Sequence, residues 1–271
     1  MFGILVLADN LEAFEMLVEL AKKTAVITGA ASGVGLATAL RFVESKIDFL
    51  VAVDRASEAP QELKEQMFAH PDCIEYISGD VRDEETAIRF AKAAKNRTGR
   101  IDILINNAGI ALVKAIHEHS PEEWDRIMDT NVKALYWSAR HVIPMMIQQQ
   151  NGVILNTGSI SGHVGIKGQG AYGPSKGALH QMTRQMAIEY AQYGIRVNAL
   201  ALGTIDTPIV QQSAIESGDP AAFIKMLKDN HPIGRIASAD EVACFFTYLA
   251  SDLASFFSGA ILSMDGGFIA H

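Results

Sequence analysis

The stretch Thr24-Ala25-Val26-Ile27-Thr28-Gly29-Ala30-Ala31-Ser32-Gly33-Val34-Gly35 decides how this chain folds. Its first four residues are a short β-rich run suited to a strand buried on both faces of a parallel sheet. Three glycines follow, at a spacing that lets the chain turn tightly, lets backbone amides approach a pyrophosphate, and lets the next helix pack close to the strand. That helix, expected from about Val34 to Ser45, aims the positive end of its dipole at the phosphates. Gly29, Ser32, Gly33, Val34 and Gly35 are therefore the expected cofactor contacts. A glycine loop alone is weak evidence, and one lying between strand and helix is considerably stronger.

Working outward, the next strand, Phe49-Leu50-Val51-Ala52-Val53, ends in Asp54, at the distance of about twenty residues where a carboxylate accepts hydrogen bonds from ribose hydroxyls and repels a 2′-phosphate. This favours NAD over NADP. Arg55 beside it is the group that would pair with such a phosphate, and a solvated arginine is the preferred reading given the acid before it. Ile74 to Gly79 forms a third strand, with Asp80 and Val81 at its carboxyl end, where ligands collect in open α/β sheets. Asp80 is read as a carboxylate beside the adenine or as a helix cap for the run starting near Glu84. Ile101 to Ile105 leads to Asn106-Asn107-Ala108-Gly109, where small residues let backbone pass a ligand and amides tie the loop down.

The chemistry concentrates further on. Ser159 follows the apolar run Val153-Ile154-Leu155, and Tyr172 precedes Lys176 by four residues, which puts phenol and ammonium on one helix face. A phenol of ordinary pKa about 10 is a poor base, and a fixed cation nearby is expected to lower that pKa. Ser159 can donate to and accept from the same substrate oxygen. Asn131, in the helical run from Pro121 to Gln149, lies next in line before the Ser159 strand and is expected to hold water or backbone near Lys176. Strands at Arg196–Ala201 and Ile261–Met264 complete an expected single α/β domain over residues 23–271. Its core is a doubly wound, Rossmann-like parallel sheet of about seven strands with helices on both faces. Residues from about 208 to 235 read as a helical flap over the site, and Ser238-Ala239-Asp240-Glu241 as a capped helix start.

The rest of the chain bounds the function. It has 271 residues, 49% hydrophobic and 20% charged, and a net charge of −8, which describes a soluble protein and excludes the basic footprint a nucleic-acid partner needs. Cys73 and Cys244 are too few for a disulfide framework or zinc cluster and are expected reduced and buried. His117, His119 and His141 show no metal spacing. No apolar run approaches the ~18 residues of a membrane span, and the N-terminal run lacks a basic leader, so a cytoplasmic protein is expected. Residues 1–22 read as an extension, a short strand or arm and then a helix capped by Asn10 with Leu11, Phe14, Leu17, Val18 and Ala21 on one side.

The order of these motifs resembles the short-chain dehydrogenases/reductases over roughly Lys23 to Gly267. The resemblance assigns the catalytic asparagine, serine, tyrosine and lysine to Asn131, Ser159, Tyr172 and Lys176, the adenine-side acid to Asp80, and the nicotinamide carboxamide to Ile205 and Thr207. It implies hydride transfer between NAD and a secondary alcohol or ketone such as a sugar, polyol, hydroxy acid or cyclic alcohol, with Tyr172 as acid/base and no metal. His163, Val164, Gly165, Gln169 and the flap from Pro208 to Pro232 would line the substrate pocket, His163 being the candidate hydrogen bonder. Two rivals are an NADPH-dependent 3-oxoacyl-type ketone reductase and a non-catalytic dinucleotide sensor. Similar proteins pair through helices to form homotetramers, and Leu179, Met182, Met186 and Ile188 offer apolar material for such a contact. Leu202 stands where the family usually has proline, which loosens the loop carrying Ile205 and Thr207.

Overall fold

A computed structural model describes residues 18–270. Strand β1 (Thr24–Thr28) is buried along its whole length, because both its faces are covered. Helix α1 (Gly33–Glu44) carries the chain back to β2 (Phe49–Asp54), then α2 (Gln61–Ala69), β3 (Ile74–Ser78), α3 (Glu84–Thr98) and β4 (Ile103–Asn106) continue the winding. Next come α4 (Pro121–Met128), α5 (Ala134–Gln149), β5 (Gly152–Thr157), α6 (Tyr172–Tyr190), β6 (Ile195–Leu202) and the short β7 (Ile205–Asp206). Helices α7 (Pro208–Glu216) and α8 (Pro220–Asp229), β8 (Ala237–Ser238), α9 (Ala239–Ala250) and β9 (Ile261–Met264) close the chain.

The seven long strands form one parallel sheet in the order β3-β2-β1-β4-β5-β6-β9. Its register places Val26 beside Val51 and Leu104, Leu104 beside Ile154, and Ile154 beside Val197. Successive side chains point to opposite faces of a strand, so that row packs on α3, α5 and α6 through Phe90, Val142, Met146 and Met186. The alternate residues Ala25, Ile27, Leu50, Ile103 and Leu155 pack on α1 and α9 through Phe42, Val242, Phe246 and Leu249. The winding reverses between β1 and β4, and the loops leaving those two strands diverge into a crevice, which is where this architecture binds ligands.

Several expectations are corrected. The expected N-terminal strand or arm, and most of the helix expected after it, lie outside the described residues, and that helix's expected end is not helical: residues 18–22 form loop and turn, with Leu20 buried and its N–H bonded to the Ser45 carbonyl at 2.7 Å. The helical run 121–149 is two helices joined by a π-turn over Asp129–Lys133. Cys244 is exposed and Cys73 half-buried, both as free thiols. Leu179 and Met186 are spent on the internal core, whereas Ile188 is 82% exposed. Leu202 is buried within β6 and paired with Met264, so its side chain anchors the strand end.

The segment 208–235 holds the two helices α7 and α8 and then a loop over 230–235, and its base is closed by β7 pairing in parallel with β8, Ile205 opposite Ala237 and Asp206 opposite Ser238. Ser238 and Glu241 form a reciprocal capping box at the start of α9. Among the described residues no helix is long and apolar enough to cross a membrane.

Candidate active site

At the glycine loop the chain turns through Gly29 at φ +69°, a conformation open chiefly to glycine. A Cβ on Gly35 would lie 2.0 Å from the Gly29 carbonyl oxygen, so no side chain fits between loop and helix. Ser32 starts α1 in an extended conformation and its hydroxyl caps none of the helix amides. Those amides are left for an anionic ligand. Thr28 and Asn107 stitch the two loops together: Thr28 Oγ1 accepts from the N–H groups of Asn107 and Ala108 at 3.1 and 3.2 Å, and Asn107 Nδ2 donates to the carbonyls of Thr28 and Gly29 at 3.1 and 3.2 Å. On the other side, a Cβ on Gly33 would come 3.2 Å from Thr207 Cγ2. The segment Ile205 to Thr207 therefore faces the glycine loop.

Asp54 closes the far end of this cradle. Its Oδ2 accepts from Ala31 N–H at 3.0 Å and its Oδ1 from Ala56 N–H at 3.1 Å, which fixes the carboxylate beside the loop. Arg55 points to solvent. Asp80 does not cap the next helix; the Arg82 guanidinium grips it through Nη2 at 2.6 Å and holds its carboxyl below the usual range. Val81 sits half-buried in the same turn. An uncapped helix start, glycines that admit no Cβ and a fixed carboxylate suit the pyrophosphate and ribose of a dinucleotide.

Beyond the cradle, the π-turn re-aims Asn131 inward, where it is fully buried. Its Oδ1 accepts from Ile110 N–H at 2.9 Å, while Nδ2 donates to the Ile110 carbonyl at 2.9 Å and to Ser175 Oγ at 3.0 Å. A Cβ on Gly109 would lie 3.3 Å from Asn131 Oδ1 and 3.5 Å from Lys176 Nζ, so the three positions adjoin. Lys176 is 4% exposed and donates to the Thr157 carbonyl at 2.6 Å. Its Nζ lies 5.5 Å from the centre of the Tyr172 ring. Burial brings the ammonium down to about 8. The same burial pushes Tyr172 up from its ordinary value, offset only in part by the Ser159 hydroxyl. This corrects the expectation that Lys176 lowers the phenol's pKa: the loss of water on burial sets the direction.

Ser159 ends the β5 loop, buried, with Oγ accepting from Ser161 N–H at 3.2 Å and donating to Ser161 Oγ at 3.1 Å. Ser161 in turn donates to Gln169 Oε1. A cavity of about 480 Å³ adjoins this turn, lined among others by Ser161, His163, Val164, Gly165, Gln169 and Gly173. His163, Val164, Gly165 and Gln169 share it, whereas the expected flap from Pro208 to Pro232 contributes nothing to its lining, and Ser159 and Tyr172 stand outside it too. His163 is exposed and its ring leans against that of His180, centres 4.6 Å apart and planes tilted by 45°. Of the other histidines, His117 is exposed and His141 bonds Glu84 at 2.9 Å. Among the described residues no group of acids, histidines and cysteines is arranged to hold a metal.

The reading of residues missed a buried layer beneath the site. Asn156 Oδ1 accepts from Asn106 Nδ2 and its Nδ2 donates to Thr183 Oγ1, both at 2.9 Å, crossing from sheet to α6. His180, one turn beyond Lys176, is enclosed by Gly158 and Gly162, where Cβ atoms would come within 2.6 and 2.5 Å of its ring. Only the glycines on either side of Ser159 hinted at it.

Comparison with known proteins agrees with this geometry. The family described as enoyl-(acyl carrier protein) reductase matches residues 29–269. Cis-4-hydroxycyclohexanecarboxylate dehydrogenase of Sinomonas cyclohexanicum is 36% identical over 251 residues, 92% of this chain and 98% of that protein. The 2-(R)-hydroxypropyl-CoM dehydrogenase of Xanthobacter autotrophicus is 35% identical over 252 residues, 92% of this chain and 99% of its own. The crystal structure of levodione reductase superposes with a TM-score of 0.87 at 32% identity, covering 93% of this chain and 99% of that one. With the parallel sheet, the glycine cradle and these relatives together, the chain belongs to the short-chain dehydrogenase/reductase family, oxidoreductases that use nicotinamide dinucleotides.

Proposed function

We propose that this chain interconverts a secondary alcohol and a ketone using NAD(H), with Tyr172 as acid/base. The observation that carries the reading is the convergence of Tyr172, Lys176 and Asn131 beside a dinucleotide-shaped cradle whose ribose end holds the Asp54 carboxylate. Gly29, Ser32, Gly33, Val34 and Gly35 would hold the pyrophosphate, Asp54 the adenosine ribose, Asp80 and Val81 the adenine, and Asn107, Ala108 and Gly109 the backbone side of the cofactor. Ile205 and Thr207 would hold the carboxamide, and Lys176 the nicotinamide ribose. The cofactor, when bound, accepts or supplies the hydride.

In the reducing direction the Tyr172 phenol, kept protonated by burial, gives its proton to the substrate oxygen. In the oxidising direction Tyr172, as the phenolate that the Lys176 charge stabilises, takes the hydroxyl proton and becomes the neutral phenol. The Ser159 hydroxyl fixes the reacting oxygen and meets the charge that develops on it. Asn131, held by Ile110 and Ser175, anchors a water that passes the proton outward.

NAD rather than NADP is supported by Asp54, a carboxylate that repels a 2′-phosphate. The NADPH-dependent 3-oxoacyl reductase would need exposed Arg55 to overcome that acid. Within the substrate class, the named substrate of the Sinomonas relative supports a cyclic secondary alcohol, met in part by His163. We also assign the chain to the cytoplasm and to a homotetramer or dimer, with Ile188 on α6 and Tyr136, 45% exposed on α5, as outward apolar groups.

The test is turnover of a panel of secondary alcohols with NAD by the wild type and by Tyr172→Phe. The variant is expected to lose on the order of 10²- to 10⁴-fold in rate while binding NADH as before. Equal rates in the two proteins would remove Tyr172 from the chemistry, and no turnover by either, with NADH binding intact, would favour a sensor.

A further inference from the structure

His231 lies between α8 and β8, with 3% of its surface exposed. Its Nδ1 bonds the Leu227 carbonyl at 2.7 Å, one turn back on α8, and its Nε2 the backbone N–H of Thr204 at 3.1 Å. A carbonyl only accepts and a backbone N–H only donates, so these partners put the ring proton on Nδ1 and leave Nε2 as the acceptor. Thr204 joins β6 to the Ile205–Thr207 segment. Its N–H ends on the imidazole, and its carbonyl accepts from Ala237 N–H at 3.2 Å. The ring also fills the space over Gly203, where a Cβ would come 2.8 Å from Nε2, and it packs on Phe268 with ring centres 5.4 Å apart. One side chain thus joins the end of the second flap helix to the start of the segment that faces the glycine loop.

We infer that His231 is a positioning residue for the cofactor: its acceptor nitrogen sets the Ile205–Thr207 backbone against the glycine loop, and its donor nitrogen ties that setting to the flap. The inference rests on the reading of Ile205 and Thr207 as nicotinamide contacts. Its consequence is coupling. A cofactor that orders residues 205–207 favours the docked position of α8, and by reciprocity a docked α8 tightens cofactor binding.

The experiment compares full-length wild type, His231→Gln, His231→Asn and Thr207→Val, using whichever of NADH and NADPH binds the wild type more tightly as the probe. Glutamine carries an amide oxygen out to where Nε2 stands and keeps an acceptor for Thr204. Asparagine keeps only a donor for Leu227. The expected result is a cofactor dissociation constant and KM roughly tenfold higher in His231→Asn, with kcat within about threefold, and wild-type affinity to within about threefold in His231→Gln. A role limited to holding the fold would weaken both variants in step with their thermal stability. That outcome, or wild-type affinity in His231→Asn, overturns the inference. Thr207→Val separates the two claims: unchanged affinity there defeats the nicotinamide reading and the inference with it, whereas weaker binding there with none in His231→Asn defeats the inference alone.

Discussion

Replacing Lys176 by methionine should make the protein more stable and nearly inactive. Burial holds the Lys176 ammonium at about 8 against its ordinary 10.5, so keeping it charged in the folded protein at pH 7 costs about 3 kcal/mol relative to the unfolded chain. Methionine has similar length, no charge and little to lose by burial. Against the gain stands the Thr157 carbonyl, which loses its 2.6 Å donor, a loss of about 1 kcal/mol. The net is about 2 kcal/mol of added stability at pH 7, or about 4 °C in Tm for a chain of this size. The sign of the pH dependence is fixed. Between about pH 8 and 10.5 the unfolded lysine binds a proton that the folded one does not, so wild-type stability rises with pH across that window. The variant lacks that slope, and its advantage shrinks as pH rises. Thermal melts of both proteins at pH 7 and pH 9.5 check this, with turnover measured alongside. A variant less stable at pH 7, or an advantage that does not change with pH, would refute the claim that Lys176 is held charged against its surroundings.

Two further substitutions probe the scaffold. Gly35→Ala forces a methyl into the Gly29 carbonyl, 2.0 Å away, and is expected to weaken dinucleotide binding at least tenfold in a fluorescence titration, because α1 must move off the loop. Asn156→Leu leaves Asn106 and Thr183 without their partner in the core and should lower unfolding stability by about 3 kcal/mol in urea titration.

Much of this molecule is legible in the chain because its signals are local. The run Thr24–Thr28 carries its own strand pattern, the glycines after it their own turn, and Asp54 its place at the end of the next strand. Tyr172 and Lys176 are neighbours on one helix turn, so their meeting needs no tertiary knowledge. What stayed hidden depends on contacts across long sequence separations. The Asp129–Lys133 π-turn is a change of backbone period with no residue signature, yet it turns Asn131 from a mid-helix defect into a buried bridge between Ile110 and Ser175. His231 reads as an ordinary residue before a proline until the fold brings Thr204 to it. The state of the Tyr172 phenol depends on burial, which spacing does not report; the i,i+4 lysine predicted a lowered pKa, and enclosure by the fold reverses it.

The most direct test of the account is cofactor choice in the purified protein: separate fluorescence titrations with NADH and NADPH, on wild type and Asp54→Ala. The wild type is expected to bind NADH more tightly, with the preference eroded in the variant because the carboxylate held by Ala31 and Ala56 is gone. Tighter NADPH binding by the wild type, or a preference unchanged in Asp54→Ala, would contradict it and move Arg55 and a ketone reductase to the front.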